Sequence, residues 1–111
     1  METLLEKQIR FTQMVGLLID YATQKGYSIT LGEAWRPPLL AKIYAEKGIG
    51  NEKSLHCDRL AIDLNLFKNG RYLDKTEDHR ELGEFWESIG GTWGGRFNDG
   101  NHYSLEYEGR K

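Results

Sequence analysis

Residues 59 to 67, RLAIDLNLF, followed by Asn69-Gly70, constrain the fold more than any other stretch of the chain. Leu60, Ile62, Leu64 and Leu66 fall on one parity, and Ala61, Asp63 and Asn65 on the other, so the extended chain has one apolar and one polar face. The Asn-Gly pair then supplies a tight hairpin turn, because both residues tolerate the positive φ such a turn needs. A sheet of this kind is antiparallel, and its apolar face has to be covered by helices. Asp63 is left on the other face.

The helices are legible on either side. Residues 3 to 25 place Leu4, Leu5, Ile9, Val15, Leu18, Ile19 and Ala22 at helical spacing, with Gly26 where the helix would end. Residues 27 to 35, YSITLGEAW, have strand composition, with Tyr27, Ile29 and Leu31 on one parity and Ser28, Thr30, Gly32 and Ala34 on the other; Arg36 follows on the small, polar parity. Pro37 and Pro38 suit the first turn of a short helix through about Gly48. Asp74 to Ile89 reads as a helix with Leu82, Phe85, Trp86 and Ile89 on one stripe. A glycine-rich loop leads to a last strand, HYSLEYE, that puts Tyr103, Leu105 and Tyr107 on one side and His102, Ser104 and Glu106 on the other. No repeat or linker interrupts the 111 residues, so the expectation is a single domain over residues 1–111: small, α+β, with an antiparallel sheet and helices packed on one face.

Charge and targeting signals narrow the function. A net charge of -2 with interspersed signs provides no basic face for nucleic acid. No apolar run approaches the roughly 18 residues of a membrane span, and the N-terminal residues lack the apolar h-region of a signal peptide, so the sequence reads as a chain made in a cytoplasm without stable membrane association. The single cysteine, Cys57, cannot form an internal disulfide.

The polar parities converge on chemistry. Arg36, Asp63 and His102 sit on the polar faces of the expected strands, and His56 lies just before the Asp63 strand, at the mouth of the cleft those faces would line. Two imidazoles and a carboxylate make a three-ligand set for Zn2+, whose fourth position then stays open for water, as in catalytic sites. Asp99, three residues before His102 across a glycine, is the candidate general base. Arg36 has forked donors suited to an oxyanion or a substrate carboxylate. Ser54 reads as a capping or orienting residue, His79 as belonging to a helix on the far side of the sheet, and Cys57 as a packing residue; Trp93 and Phe97 are open between substrate wall and core. Taken alone, these spacings are weakly specific.

SLHCDRLAID together with WGGRFNDGNHYSL resembles the zinc peptidases that cut D-amino-acid-containing peptides, namely the VanX and VanY D,D-peptidases and the phage L-alanyl-D-glutamate endopeptidases. Their motif S-x-H-x-x-G-x-A-x-D is matched by Ser54, His56, Ala61 and Asp63, and the acid-x-x-histidine motif by Asp99 and His102. Arg59 stands where the motif commonly has glycine. The resemblance implies zinc held by His56, Asp63 and His102, Asp99 as base, and Arg36 as electrostatic clamp. It further implies a monomeric endolysin-like hydrolase of the peptidoglycan stem peptide, cutting L-alanyl-D-glutamate, that waits in the host cytoplasm for a holin-type partner to open the membrane. The rival expectations are a D-alanyl-D-alanine carboxypeptidase or dipeptidase with the same machinery, a zinc-containing domain that binds wall peptide without turnover, and a structural zinc domain closed by a fourth ligand such as Cys57.

Overall fold

The structure, a computed structural model, describes residues 1–111. Helix α1 runs Leu4–Gln24 and starts on a reciprocal cap in which the Thr3 hydroxyl accepts the Glu6 N–H and the Glu6 carboxylate accepts the Thr3 N–H. Strand β1 is Ser28–Leu31, helix α2 Pro38–Glu46, strand β2 Ala61–Lys68, strand β3 Arg71–Leu73, helix α3 Arg80–Ser88, strand β4 Thr92–Trp93 and strand β5 His102–Ser104. The sheet is antiparallel throughout, in the order β1-β2-β5-β4, with β3 paired to the end of β2. The Asn-Gly hairpin is present: Asn69 and Gly70 both have positive φ, and Lys68 pairs with Arg71.

The alternation of β2 sorts its side chains as expected. Leu64 and Leu66, with Leu60 just before the strand, are fully buried against α1 and α3, which contribute Phe11, Met14, Leu18, Ala22, Leu82 and Trp86. Trp86, Trp93 and Tyr103 are the largest fully buried side chains, and each has a partner for its polar tip. Trp86 Nε1 donates to the Ser104 carbonyl (2.9 Å), Trp93 Nε1 to the Gly100 carbonyl (2.8 Å), and the Tyr103 hydroxyl lies 2.8 Å from His79 Nδ1. Close helix-to-sheet contact depends on Gly83, where a Cβ would fall 2.1 Å from the Trp93 ring.

Three elements differ from the sequence expectation. The first strand ends at Leu31, because the Gly32 N–H donates to the Asp63 carbonyl (2.8 Å) while the Asp63 N–H donates to the Glu33 carbonyl (2.9 Å). Two residues of one strand thus oppose one of the other, a bulge that shifts the parity of the residues after it. The expected helix from Asp74 divides into a single 3-10 turn, Thr76–His79, and α3. The last strand stops at Ser104, after which Glu108 and Gly109, both at positive φ, turn the chain back so that Tyr107 bridges Arg110.

Candidate metal centre

His56 and His102 reach one cleft from different directions. Ser54 caps the single 3-10 turn Leu55–Asp58, its hydroxyl accepting the His56 N–H (3.1 Å), which holds the backbone that carries the His56 ring. The turn ends at Arg59 in the left-handed conformation (φ 57, ψ 36) and feeds into β2. That geometry accounts for a glycine being common at this motif position: glycine enters the region without steric cost. Arg59 stacks its guanidinium 4.6 Å over the Trp35 ring. Arg59→Gly is expected to change stability by less than about 1 kcal/mol, since relief of left-handed strain is offset by the lost cation-π contact and a freer unfolded chain. A denaturant titration checks this.

His102 pairs directly with Asp63 across β2 and β5, which puts both side chains on one face of the sheet. The loop before it is tightly tied. Asp99 N–H donates to the Gly94 carbonyl (2.8 Å), His102 N–H to the Asp99 carbonyl (3.0 Å), and Gly100 N–H to the Thr76 hydroxyl (3.2 Å). Gly94 has no room for a side chain, because a Cβ there would lie 2.2 Å from the Asp99 carbonyl oxygen and 2.7 Å from His102 Cβ.

The ligand-capable atoms of His56, Asp63 and His102 all lie within 4.8 Å of one another. Asp63 Oδ1 is 3.3 Å from His56 Nε2 and 3.6 Å from His102 Nδ1. The two imidazoles are buried. His102 Nε2 lies 3.1 Å from the Lys111 carbonyl, which can only accept, so the neutral ring carries its proton there and leaves the Nδ1 lone pair for an ion, whereas the doubly protonated ring donates from Nδ1 to Asp63. Two nitrogens and one oxygen converging in this way fit a divalent ion such as Zn2+, and three protein ligands leave a position for water or substrate. Cys57 and His79 stand outside this group. Burial lowers the pKa of His79 and raises that of Tyr103, so the protonated phenol donates to a neutral ring in the core.

Electrostatics within the group are opposed. Burial works to raise the Asp63 pKa, but hydrogen bonds from His102 and His56 outweigh it and hold the carboxylate at about 2. Burial works to lower that of His102, but the Asp63 carboxylate and the Lys111 carbonyl raise it above its ordinary value. Burial, the largest influence on Asp99, raises its pKa, against the neighbouring His102.

Two effects of opposite sign result, one on the metal-free chain and one on metal binding. A raised His102 pKa stabilises the metal-free fold below the unfolded value of about 6.5, and that contribution is lost as pH climbs through the folded value. The depressed Asp63 value stabilises above the unfolded value, 3.8, and is lost as pH falls through about 2. A metal held by His102 would require the neutral ring, so affinity is expected to rise by about tenfold per pH unit below the His102 pKa and then level off. Melting curves in chelator and metal titrations over about pH 5–9 are expected to slope in opposite directions.

The cleft encloses about 420 Å³ and is lined by Arg36, Phe97 and Asp99 as well as by His56, Asp63 and His102. Arg36 comes from the loop after the bulge, its N–H donating to the His56 carbonyl (3.2 Å), its guanidinium paired with Glu33 and 5.2 Å from the Tyr44 ring centroid. Asp99 Oδ2 lies 3.9 Å from His102 Nδ1, and its side chain is 53% exposed. Phe97 is a cleft wall, its ring centroid 5.8 Å from that of His102, whereas Trp93 is core.

A family model described as D-alanyl-D-alanine carboxypeptidase, of peptidase family M15, matches residues 47–105. The chain belongs to this peptidase family. Its fold is shared with an L-Ala D-Glu endopeptidase of Serratia marcescens, ChiX, at a TM-score of 0.74 and 16% identity over 87% of this chain and 78% of that one. No curated protein sequence matches the chain. No helix is long and apolar enough to cross a membrane.

Three residues of the site escape a reading of the sequence. Glu33 falls on the apolar parity of β1 when the alternation is carried straight through, though an isolated glycine in a strand pattern, here Gly32, is the signal of a bulge that reverses it. Arg110 and Lys111 carry no local signal, because the turn at Glu108-Gly109 brings them to the cleft. Arg110 Nη1 donates to the Lys53 carbonyl (3.1 Å) and forms an ion pair with Asp58 (2.7 Å), joining the last residues to the His56 turn.

Proposed function

We propose that this M15 peptidase is a zinc-dependent peptidoglycan hydrolase that cuts an amide bond of the cell-wall stem peptide, L-alanyl-D-glutamate. The observation that carries the reading is the convergence of His56, Asp63 and His102 on one point of a cleft that also holds Asp99 and Arg36. His56, Asp63 and His102 would hold the ion. Zn2+ so held would supply a Lewis acid and lower the pKa of a bound water to about 7.

The chain's own groups do the rest. Asp99, half exposed and with a raised pKa, takes a proton from the attacking water at its carboxylate and returns it to the leaving amine. Arg36, a fixed cation, donates to the oxygen on which charge develops. The Lys111 carbonyl keeps the His102 ring oriented, and the Ser54 hydroxyl does the same for the His56 turn. Phe97 forms one wall of the cleft beside His102.

A second reading, removal of a terminal D-alanine by the same machinery, is favoured by the description of the matching family model. Digestion of defined muropeptides followed by mass analysis separates the two, because a cut at L-alanyl-D-glutamate and loss of one alanine give different masses. A chelator is expected to stop either reaction and added Zn2+ to restore it. Turnover unaffected by chelator, or no turnover of any muropeptide, would refute the proposal. The resemblance to the phage-encoded branch supports the finer reading of a monomeric lysis enzyme released through a holin-type partner.

A further inference from the structure

Glu33 meets the site through three contacts, one from its backbone and two from one carboxylate oxygen. Its backbone carbonyl accepts the N–H of Asp63 (2.9 Å), within the bulge that Gly32 makes. A Cβ at residue 32 would lie 2.8 Å from the Asp63 carbonyl oxygen, so the bulge brings the two chains closer than an ordinary residue allows. Its carboxylate pairs with Arg36 Nη2 through Oε1, and the same oxygen lies 3.8 Å from His56 Nδ1.

The His56 ring makes that last distance informative. Nε2 is the nitrogen turned to Asp63 and to the point where the three ligand atoms converge. Nδ1 is buried and has no hydrogen-bond partner. An imidazole that ligates through Nε2 keeps its proton on Nδ1, and a buried N–H needs an acceptor. Glu33 Oε1 lies on that side of the ring. Glu33 is absent from the converging group itself and lies at the opposite nitrogen of the imidazole, so it is not a fourth member of the set.

We infer that Glu33 is a positioning residue that accepts the Nδ1–H of His56 in the metal-loaded chain while it holds Arg36, so that one carboxylate sets both a metal-bearing imidazole and the arginine of the cleft. This role rests on the proposed metal site. The carboxylate has only to turn slightly to shorten 3.8 Å to a hydrogen bond, and its second oxygen remains available to the guanidinium.

The test uses the full chain and Zn2+. Long-range proton–nitrogen NMR of the zinc-loaded wild type is expected to show His56 bound through Nε2, with a slowly exchanging proton on Nδ1. Competition against a chelator is expected to show Glu33→Ala weakening zinc binding by about 10- to 100-fold, and Glu33→Gln, which keeps a carbonyl acceptor, staying within about threefold of wild type. A His56 ring bound through Nδ1 overturns the inference without any variant being made, as does a Glu33→Ala chain that binds zinc as tightly as wild type or a Glu33→Gln chain as weak as Glu33→Ala. If the wild type itself binds no zinc, the proposed metal site falls and this role falls with it. Wild-type binding with an unaffected Glu33→Ala removes the positioning role alone.

Discussion

Asp99→Asn is expected to lower kcat for muropeptide hydrolysis by about 10²- to 10⁴-fold while leaving zinc affinity within a factor of about two to three. The substitution keeps the size and hydrogen-bonding reach of the side chain but removes its ability to take a proton. Its backbone is fixed by the Gly94 carbonyl and by the His102 N–H, neither of which involves the carboxylate, so the loop is expected to hold its shape. Steady-state turnover and a chelator competition on the same preparation check both halves. A proportional fall in zinc affinity would instead place Asp99 among the ligands.

The other large effect concerns stability. Trp93→Ala is expected to cost about 3–5 kcal/mol, a large share of the roughly 5–15 kcal/mol by which a domain is stable, and to lower the melting temperature by roughly 10–25 °C. Trp93 is fully buried, with Gly83 packed on its ring and its Nε1–H bonded to the Gly100 carbonyl. Truncation therefore opens a cavity and also strips a carbonyl in the loop between Asp99 and His102. Phe97→Ala, four residues on, is expected to change stability by less than about 1 kcal/mol, because the residue is 46% exposed, and to act instead on KM. Thermal melts of the two variants side by side give the comparison.

How much of the molecule was legible in its sequence depends on where each signal is local. The alternation of β2, the Asn69-Gly70 turn and the amphipathic stripe of α1 are short-range patterns with a single structural reading, and they suffice for an antiparallel sheet covered by helices. His56, Asp63, Asp99 and His102 were legible as motif positions, and the β2–β5 register brings Asp63 and His102 face to face. Glu33 was not, because a period-2 reading carried straight through Gly32 assigns it to the wrong face, and only the paired strand reveals that two residues oppose one. β4 escapes for a related reason: Thr92–Trp93 is too short to show alternation and exists because β5 offers it an edge. Trp93 and Phe97 are close in sequence and equally apolar, and the 3-10 turn Gly94–Phe97 between them sends one into the core and the other to the cleft.

X-ray diffraction from zinc-soaked crystals, recorded on both sides of the zinc absorption edge, asks most directly whether one ion is shared by the chain. A single anomalous peak bonded to His56 Nε2, an Asp63 oxygen and His102 Nδ1, with the remaining position taken by solvent, is the outcome expected from the geometry. A peak elsewhere, none at all, or a site closed by Cys57 as a fourth protein ligand would contradict it.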